Sequence, residues 1–420
     1  MFPILVFLLC ALVDAKLFSQ VTINNQKYRL LTTIYRYPLN CDTEWAECNT
    51  LVYNALSPAG KSVAIKILRM DDPGYASLAF TELSHLRALE GQSRIVQLLD
   101  HERIGKDMYL IMENGDKDLE FWSKYSLGTL NIPNTWVQML LGVKQLHDKN
   151  IAHLDLKPRN MLFFGRKLKV IDFDISAHLR PNKDHVTFYG RVGTPGYQSP
   201  EVMGYAWNSR GRKQIGKEAD VWALGVILYE LIYGKDFEIS GFPPVASRLD
   251  DSRYRANIFE PHSHKASREV EALKEIMRAC IQFDPNERPT VDDLLQMTFE
   301  KLVPLKAEKM ESYEQKGAIH RAYKKTANAL FEQLSTVTPS QMASYQDKIK
   351  HLARYSNEIR EYARTRMPAS EKPRYKSAIS HLGKWTKLFE QSLTIRLSDP
   401  MFELANFLID RVAAQLPRTK

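Results

Sequence analysis

The segment HLDLKPRNMLFFGRKLKVIDFD, residues 153–174, carries four side chains that together suit phosphoryl transfer. Such a transfer needs a carboxylate for the proton of the attacking hydroxyl, positive charge against the phosphates, and oxygen ligands for a divalent metal ion. The spacing predicts Asp155 as the base and Lys157 as the partner of the γ-phosphate. Asn160 and Asp172 are the predicted metal ligands, because amide and carboxylate oxygens suit hard cations.

These side chains need strands and helices that bring them around one nucleotide. Runs rich in β-branched and aromatic residues predict strands, and apolar residues at helical spacing predict helices. The predicted elements are strands Tyr28–Tyr37, Thr50–Leu56, Ser62–Leu68, Ile95–His101 and Met108–Glu113, a helix at Tyr75–Glu90, and a helix from Trp136 onward. A strand-rich part up to about Glu113 thus precedes a mostly helical part up to about Val303. This order predicts an α+β fold with a small β-rich lobe, a large helical lobe and a cleft between them.

Over residues 28–303 the sequence resembles the eukaryotic protein kinase family. HLDLKPRN resembles the catalytic loop of that family, and DFD at residues 172–174 resembles its metal-binding triplet. VAIK ends on Lys66, which resembles the lysine that holds the α- and β-phosphates, and Glu82 in FTELSHL stands where the family has the ion-pair partner of that lysine. SPE, DVWALGVILYEL and DPNERP complete seven motifs in the order of the family, so the resemblance is specific.

The resemblance implies a two-lobed kinase fold and an enzyme that uses ATP with Mg²⁺ or Mn²⁺ to phosphorylate a protein substrate. The residues that it implies as catalytic are Asp155, Lys157, Lys66 and Glu82. The residues that it implies at the nucleotide and its metal are Lys66, Val52, Ala64, Met112, Glu113, Gly115, Asn160 and Asp172. Met112 would be the gatekeeper, and the backbone of Glu113–Gly115 would meet adenine. An ion pair between Glu201 and Arg288 is also implied, and Asp220 would brace the catalytic loop.

Local motifs point to one branch of the family. LKP after Asp155 and GTPGY at residues 193–197 resemble the serine/threonine branch rather than the tyrosine branch. IVQLLDHE, LIMENGDKDLEFW and the IDFDIS region are similar to the monopolar-spindle dual-specificity kinases. The resemblance therefore implies transfer to serine and threonine hydroxyls.

The loop that covers the phosphates in the family departs from its usual pattern. Residues 34–52 read IYRYPLNCDTEWAECNTLV, with no glycine and with three acidic residues. Without glycine, backbone amides approach phosphates less easily. In an oxidising compartment Cys41 and Cys48 are predicted to close a small loop, worth about 2–3 kcal/mol by chain entropy. Two interpretations stay open: a stiff flap over the site, or a decorated hairpin that points away from it.

Two further positions depart from the family pattern. The metal-binding triplet ends in Asp174 instead of glycine, which indicates either structural tolerance or an additional metal ligand that favours Mn²⁺. Leu154 replaces the arginine that receives a phosphorylated activation segment. This change predicts a kinase that phosphorylation of the segment does not switch on, although Thr187 and Tyr189 lie in that segment.

The first residues resemble an export signal. Phe2–Val13 is an apolar run, and Val13 and Ala15 are small at the positions that a signal peptidase reads. The run is shorter than the roughly 20 residues that span a bilayer, and no later run is apolar enough to do so. Residues 1–15 are therefore predicted to be a cleavable signal peptide, and the protein to be secreted or in the secretory lumen. A short buried strand and an uncleaved anchor are the alternatives.

The last part of the chain differs in composition and charge. Residues 301–420 hold 22 Lys and Arg against 12 Asp and Glu, whereas the first 300 residues hold 36 against 37. Residues 304–420 are therefore predicted to be a separate, basic, all-helical extension. Docking on the kinase lobe, binding of an acidic partner or membrane surface, and a solvated face all fit this charge. No zinc spacing or RNA-binding signature is present, so nucleic acid is an unlikely partner.

The six residues Lys66, Glu82, Asp155, Lys157, Asn160 and Asp172 are all retained, which favours an exported serine/threonine protein kinase. The glycine-free loop favours the competing hypothesis, a secreted pseudokinase that binds nucleotide or protein without transferring phosphate. An adhesion protein built around the basic extension is a third hypothesis. Cys280, alone in an apolar helical pattern, is predicted to be a buried small residue rather than a reactive thiol.

Overall fold

The computed structural model of the protein describes residues 20–37, 49–126, 128, 130–180, 185–188, 192–203, 213–234 and 267–314. The predicted signal peptide, the Cys41–Cys48 pair and the basic extension beyond residue 314 lie outside the described residues. Those sequence predictions therefore stay predictions.

The described residues fall into two compact units. The first holds those within residues 20–130, 138–234 and 277–291, and it contains every residue of the predicted site. The second holds those within residues 131–137, 267–276 and 292–314. Inside this second unit the indole of Trp136 donates a hydrogen bond of 2.9 Å to the hydroxyl of Thr298, and both side chains are buried.

A six-stranded sheet, antiparallel throughout, forms the N-terminal part of the first unit. Its strands are β1 (Gln20–Ile23), β2 (Gln26–Tyr37), β3 (Thr50–Leu56), β4 (Ser62–Arg69), β5 (Leu98–Ile104) and β6 (Asp107–Glu113). Their order in the sheet is β1-β2-β3-β4-β6-β5. The strands are rich in β-branched and aromatic residues, which suit a pleated, half-buried surface.

The two faces of this sheet carry different residues, because side chains alternate along each strand. One face carries an apolar core of Ile23, Tyr28, Leu30, Leu51, Ala55, Val63, Ile65, Ile67, Tyr109 and Ile111. The opposite face carries Val52, Ala64, Lys66, Leu110 and Met112, which lie opposite one another in the strand register. We call this second surface the Lys66 face.

The turn between β1 and β2 ties the two edges of the sheet together. Asn24 and Asn25 have φ angles of 48° and 62°, as a two-residue type I′ hairpin turn requires. The backbone N–H of Asn24 donates to Glu102 at 2.6 Å, and its side-chain amide donates to Asp100 at 2.7 Å. Both acceptors lie in β5 at the other edge, so the sheet curls until its borders meet.

The remaining described chain contains α-helices, short strands, two 3-10 helices (Pro158–Asn160 and Pro285–Glu287) and loops. The helices are α1 (Pro73–Ala88), α2 (Leu119–Tyr125), α3 (Ile132–His147), α4 (Pro200–Met203), α5 (Glu218–Tyr233), α6 (Arg268–Cys280) and α7 (Val291–Glu314). The strands are β7 (Ile151–Ala152), β8 (Met161–Phe164), β9 (Lys167–Val170), β10 (Ala177–His178), β11 (His185–Phe188) and β12 (Lys213–Gly216). They pair as β7 with β10, β8 with β9, and β11 with β12.

The predicted strands and helices are present, with differences at some boundaries. β1 was not predicted, and α1 begins two residues before the predicted Tyr75 because Asp72 caps it. The Asp72 carboxylate accepts from the N–H of Gly74 at 2.7 Å, and Pro73 fits the first helical position. The sequence predicted a domain boundary between residues 303 and 304. Helix α7 (Val291–Glu314) nevertheless continues across that position.

The predicted strand Ile95–His101 is wrong at its start, since β5 begins at Leu98. Arg94 and Val96 pair with the end of β9, whereas the carbonyl of Gln97 already accepts from the backbone N–H of Glu113 in β6. The N–H of Val96 donates to the carbonyl of Val170 at 3.1 Å, and the N–H of Val170 donates to the carbonyl of Arg94 at 2.9 Å. This pairing fixes the strand before the metal-binding triplet against the N-terminal part of the chain.

Helix α5 is buried along most of its length. A methyl group at Gly225 would lie 2.6 Å from Cβ of Cys280, so the helix needs glycine at this close approach. Cys280 is fully buried and its thiol is free, which confirms the predicted small core residue. Burial raises the pKa of Cys280, so its thiol stays protonated. Among the described residues, no helix is both long and apolar enough to cross a membrane.

Candidate active site

Lys66 on β4 joins three elements of the candidate site. Its ammonium lies 2.6 Å from the carboxylate of Glu82 on α1 and 2.6 Å from the carboxylate of Asp172 after β9. Lys66 and Glu82 are almost completely buried. The structure therefore brings together three of the predicted residues, although 106 positions separate Lys66 from Asp172.

The charges around this amine are unbalanced, because Asp174 also lies close to it. Burial opposes the charge of Lys66, but the carboxylates of Asp172, Glu82 and Asp174 outweigh it and raise its pKa well above the ordinary lysine value. Burial also disfavours the charge of Asp172, yet the Lys66 ammonium lowers the pKa of Asp172. One amine does not neutralise three carboxylates. Burial raises the pKa of Asp174, and the charge of Asp172 adds to that shift.

Burial raises the pKa of Glu82 to about 7, with Lys66 opposing the shift and Asp172 and Asp174 adding to it. We expect this carboxyl group to make stability pH-dependent. Between the unfolded value of 4.5 and about 7, the folded state binds more protons. The free energy of unfolding should therefore fall as the pH rises through this window, by an amount on the order of 3 kcal/mol from this group.

The Glu82→Gln variant should lack this pH dependence. Urea unfolding of the nucleotide-free protein at pH 5 and pH 8 measures it, and the exposed Glu90→Gln serves as the matched control. The control should follow the wild type. An equal pH slope in the wild type and in Glu82→Gln would contradict the assignment.

Asp220 at the start of α5 braces the catalytic loop, as the sequence predicted. Its buried carboxylate accepts from the backbone N–H groups of His153 and Leu154, both at 2.8 Å, and lies 2.9 Å from Nε2 of His147. Leu154 has a φ of 66°, which is unfavourable for a residue other than glycine. The two hydrogen bonds from Asp220 hold this conformation and thereby orient the next residue, Asp155.

Asp155 is itself fixed by a network of donors. One carboxylate oxygen accepts from the N–H of Thr194 at 2.8 Å and from its hydroxyl at 2.6 Å. The other lies 2.6 Å from the ammonium of Lys157, which also donates to the hydroxyl of Thr194 at 2.8 Å. Gly193 permits this approach, because a methyl group there would lie 2.6 Å from the carbonyl oxygen of Leu154. The loop thus presents a carboxylate and an amine in fixed positions.

Asn160 and Asp172 fit a divalent ion that has only a few protein ligands. The amide nitrogen of Asn160 donates to the backbone carbonyl of Asp155 at 2.9 Å, so its amide oxygen remains for a cation. Asp172 uses one oxygen for Lys66 and has a second. In the part of the chain that the structure describes, no three His, Cys, Asp or Glu side chains form a metal site. This donor set suits Mg²⁺, which is commonly bound by one or two carboxylates together with substrate phosphates.

The DFD triplet adopts one defined conformation. Asp172 has a φ of 71°, a strained value that aims its carboxylate at Lys66. Phe173 is fully buried, with its ring centroid 5.3 Å from that of His153. The hydroxyl of Ser176 donates to the carbonyl of Phe173 at 2.6 Å and lies 2.7 Å from Nδ1 of His85 on α1. The triplet is therefore tied to both the catalytic loop and α1.

The residues expected around adenine lie where β3, β4 and β6 meet. Val52, Ala64 and Met112 are all on the Lys66 face. The side chain of Glu113 pairs with Lys169 and accepts from the N–H of Gln97, so any contact with adenine would fall to its backbone. For Gly115 the reason for glycine is packing: a methyl group would lie 2.6 Å from the side chain of Leu162.

The activation segment is held by apolar contacts where the family has an arginine. Leu154 belongs to an apolar cluster with Ala152, Val192, Val202, Ile215 and Ala219. Strand β11, which contains Thr187, pairs with β12, which contains Ile215. The described residues of the segment are thus positioned by a β-ladder and by side-chain burial.

The predicted ion pair that closes the segment is confirmed. The guanidinium of Arg288 binds both carboxylate oxygens of Glu201, at 2.7 and 2.8 Å, and its side chain is fully buried. The hydroxyl of Ser199 donates to the same carboxylate at 2.6 Å. This bidentate contact anchors the end of the segment to the chain beyond α6.

Residues 49–300 match the protein kinase domain family, which is more than half of the chain. The chain therefore belongs to the protein kinase family. The match begins within the predicted domain of residues 28–303 and ends three residues before its end.

The curated relatives include the monopolar-spindle type that the sequence resembled. The chain is 30% identical over 250 residues to Serine/threonine-protein kinase MPS1 of Encephalitozoon cuniculi, covering 59% of this chain and 40% of that protein. It is 33% identical over 237 residues to Serine/threonine-protein kinase MPS1 of Saccharomyces cerevisiae, covering 52% and 30%. It is 28% identical over 263 residues to Dual specificity protein kinase TTK of Mus musculus, covering 60% and 30%. The chain spans less than half the length of each of these relatives.

Two residues of the site were not predicted from the sequence. Thr194 lies in GTPGY, which served only as a branch signature, whereas in the structure it contacts both Asp155 and Lys157. Tyr35 lies near the end of β2, opposite Val52, and is therefore on the Lys66 face. This position follows from the strand register, which the sequence does not show. The only sequence signal for Tyr35 was its place in the segment where the family has glycines.

Proposed function

We propose that the protein is an ATP-dependent protein kinase that phosphorylates serine and threonine hydroxyls. The observation that carries this proposal is the amine of Lys66, held at 2.6 Å from both Glu82 and Asp172. A pseudokinase has no need to keep an amine, a buried carboxylate and a metal-binding carboxylate in this arrangement. Membership of the protein kinase family supports the same activity.

Each residue of the site has a defined role in this proposal. Lys66 binds the α- and β-phosphates, and Glu82 keeps its ammonium in place. Asp155 orients the acceptor hydroxyl and takes its proton, while Lys157 meets the γ-phosphate.

Asn160 and Asp172 hold the divalent ion through their oxygens. The nucleotide supplies the transferred phosphoryl group, and the metal ion supplies positive charge against the phosphates. Thr194 fixes Asp155 and Lys157 in one geometry, so that the base and the amine face the same substrate. The printed names of the relatives, serine/threonine and dual-specificity kinases, support serine and threonine as acceptors.

Phosphate transfer from radiolabelled ATP tests the proposal directly. The full chain is incubated with Mg²⁺ or with Mn²⁺ and a peptide library that contains Ser, Thr and Tyr, and phosphoamino acids are analysed. Label on Ser and Thr in the wild type, and none with Lys66→Met, is the expected result. Lys61→Met, at an exposed lysine of the turn before β4, is the matched control and should transfer normally. Nucleotide binding without any transfer would instead favour the pseudokinase.

We further propose that the protein acts in the secretory lumen or outside the cell, and that its basic extension binds an acidic partner. The apolar run Phe2–Val13 and the charge excess of residues 301–420 support these proposals. N-terminal sequencing of the protein expressed in a eukaryotic cell should give a chain that begins at Lys16. A chain that retains Met1 or Phe2 would contradict the export proposal.

A further inference from the structure

Strand β2 does not run evenly beside β3: the register shifts between Leu30 and Thr32 and again between Thr33 and Tyr35, next to the candidate site. Thr33 lies opposite Tyr53, but the next matched pair is Tyr35 opposite Val52. Two residues of β2 therefore advance against one residue of β3, which makes Ile34 the extra residue of a β-bulge. Bulges of this kind occur near active sites, where they re-aim a side chain.

The register after both shifts decides which face of the sheet receives Tyr35. From Thr33 opposite Tyr53 onward, a ladder without the second shift would place Ile34 opposite Val52 and Tyr35 on the core face with Leu51, so the second shift reverses the effect of the first. A shift of one residue reverses the face of each later side chain in the strand. Tyr35 therefore joins the row of Val52, Lys66 and Leu110 on the Lys66 face.

Tyr35 and Lys66 approach the same space from different strands. One strand, β3, separates β2 from β4, so their backbones are about 10 Å apart. Both side chains are long enough to converge from this separation. Tyr35 is 42% exposed, so its ring is neither packed into the core nor fully in solvent.

The charges that act on the phenol are those of the catalytic residues. Burial raises the pKa of Tyr35, and the carboxylates of Asp172 and Asp174 add to this shift, whereas Lys157 and Lys66 oppose it. The hydroxyl thus stays protonated at neutral pH and can donate a hydrogen bond. Lys157, Lys66 and Asp172 are the residues to which phosphates and metal are assigned.

We propose that Tyr35 is a phosphate-binding residue, whose hydroxyl donates a hydrogen bond to the triphosphate of the bound nucleotide. The proposal rests on the proposed kinase function and adds a residue to the same site. It also accounts for the missing glycines, since a tyrosine hydroxyl on β2 supplies a donor in place of the backbone amides that glycine would bring close to the phosphates. In this arrangement Tyr35 covers the phosphates and Lys66 binds them from below.

Nucleotide affinity tests this contact independently of turnover. Tyr35→Phe keeps the ring and removes only the donor. With Mg²⁺ present, calorimetry should show the Kd for ATP raised about tenfold, as expected for one hydrogen bond to a charged group. The Kd for adenosine, which has no phosphate, should change less than twofold.

Tyr53→Phe is the matched control, because Tyr53 is on the neighbouring strand but packs against the core face. This control should leave the Kd for ATP unchanged, and thermal melting should show that both variants are folded. An unchanged or tighter ATP affinity in Tyr35→Phe would overturn the proposal, and tighter binding would identify Tyr35 as an obstruction. Equal weakening for ATP and adenosine would also overturn it, because the ring position rather than the donor would then be responsible.

Failure of the proposed function has a different signature. A wild type that transfers phosphate normally, together with an unchanged affinity in Tyr35→Phe, overturns the role of Tyr35 alone. A wild type that neither binds ATP nor transfers phosphate overturns both proposals.

Discussion

Replacing Asp155 by Asn is expected to lower the rate of phosphoryl transfer by about 10²- to 10⁴-fold, the usual contribution of a general base. The carboxylate has one oxygen that faces two donors from Thr194 and another that faces the ammonium of Lys157. An amide must place its NH₂ group against one of these donors. The variant therefore loses both the proton acceptor and part of the contact network that orients it.

Single-turnover measurements with saturating ATP and an acceptor peptide would measure this effect. The Kd for ATP should change less than threefold, because Lys66 and Asp172 remain in place. Asp148→Asn, on an exposed side chain after α3, is the matched control and should keep the wild-type rate. Transfer by Asp155→Asn within threefold of the wild type would show that another group accepts the proton.

Replacing Arg288 by Met is expected to lower the free energy of unfolding by about 3–5 kcal/mol, because it leaves the buried carboxylate of Glu201 without its partner. The guanidinium has further contacts that Met cannot make. It donates to the backbone carbonyls of Gln282, Glu218 and Phe283, and it lies 5.2 Å from the ring centroid of Trp222. Arg288→Lys should rescue little of the loss, since an ammonium cannot form the two parallel contacts.

Urea unfolding of Arg288→Met, Glu201→Gln, the double variant and Arg103→Met separates the contribution of the ion pair from that of the other contacts of Arg288. The double variant Arg288→Met with Glu201→Gln should lose less stability than the two single losses added together, because no buried charge is left unpaired. The exposed Arg103→Met is the control for the substitution itself and should change stability by less than about 0.5 kcal/mol. A loss below 1 kcal/mol in Arg288→Met would contradict the assigned role.

Contacts between distant residues were predictable where both partners lie in motifs that resemble the kinase family. The pair Glu201–Arg288 and the bracing by Asp220 were expected from the motifs, and the structure has both. Strands β2, β3, β4 and β6 followed from β-branched and aromatic runs. The motifs that resemble the kinase family also identified Lys66 and Glu82 as partners, and the structure has this ion pair.

Features that depend on register or on competing partners were not predictable. The two register shifts of β2 have no sequence signature, so the pairing of Tyr35 with Val52 was not predictable. Ile95 and Val96 have the composition of a strand, but their backbone pairs with Val170 instead of with the sheet. The role of Thr194 depends on where the activation segment folds back onto the catalytic loop.

The contact of Asn24 with β5 has a consequence for the protein in concentrated solution. Exposed strand borders recruit further strands from other molecules, and long apolar borders do so most readily. Here one border, β1, is only four residues long. The other, β5, carries Asp100, His101, Glu102 and Arg103 in succession and already receives the Asn24 hairpin. Sheet extension between copies, the first step of fibre-like aggregation, is therefore disfavoured at both ends.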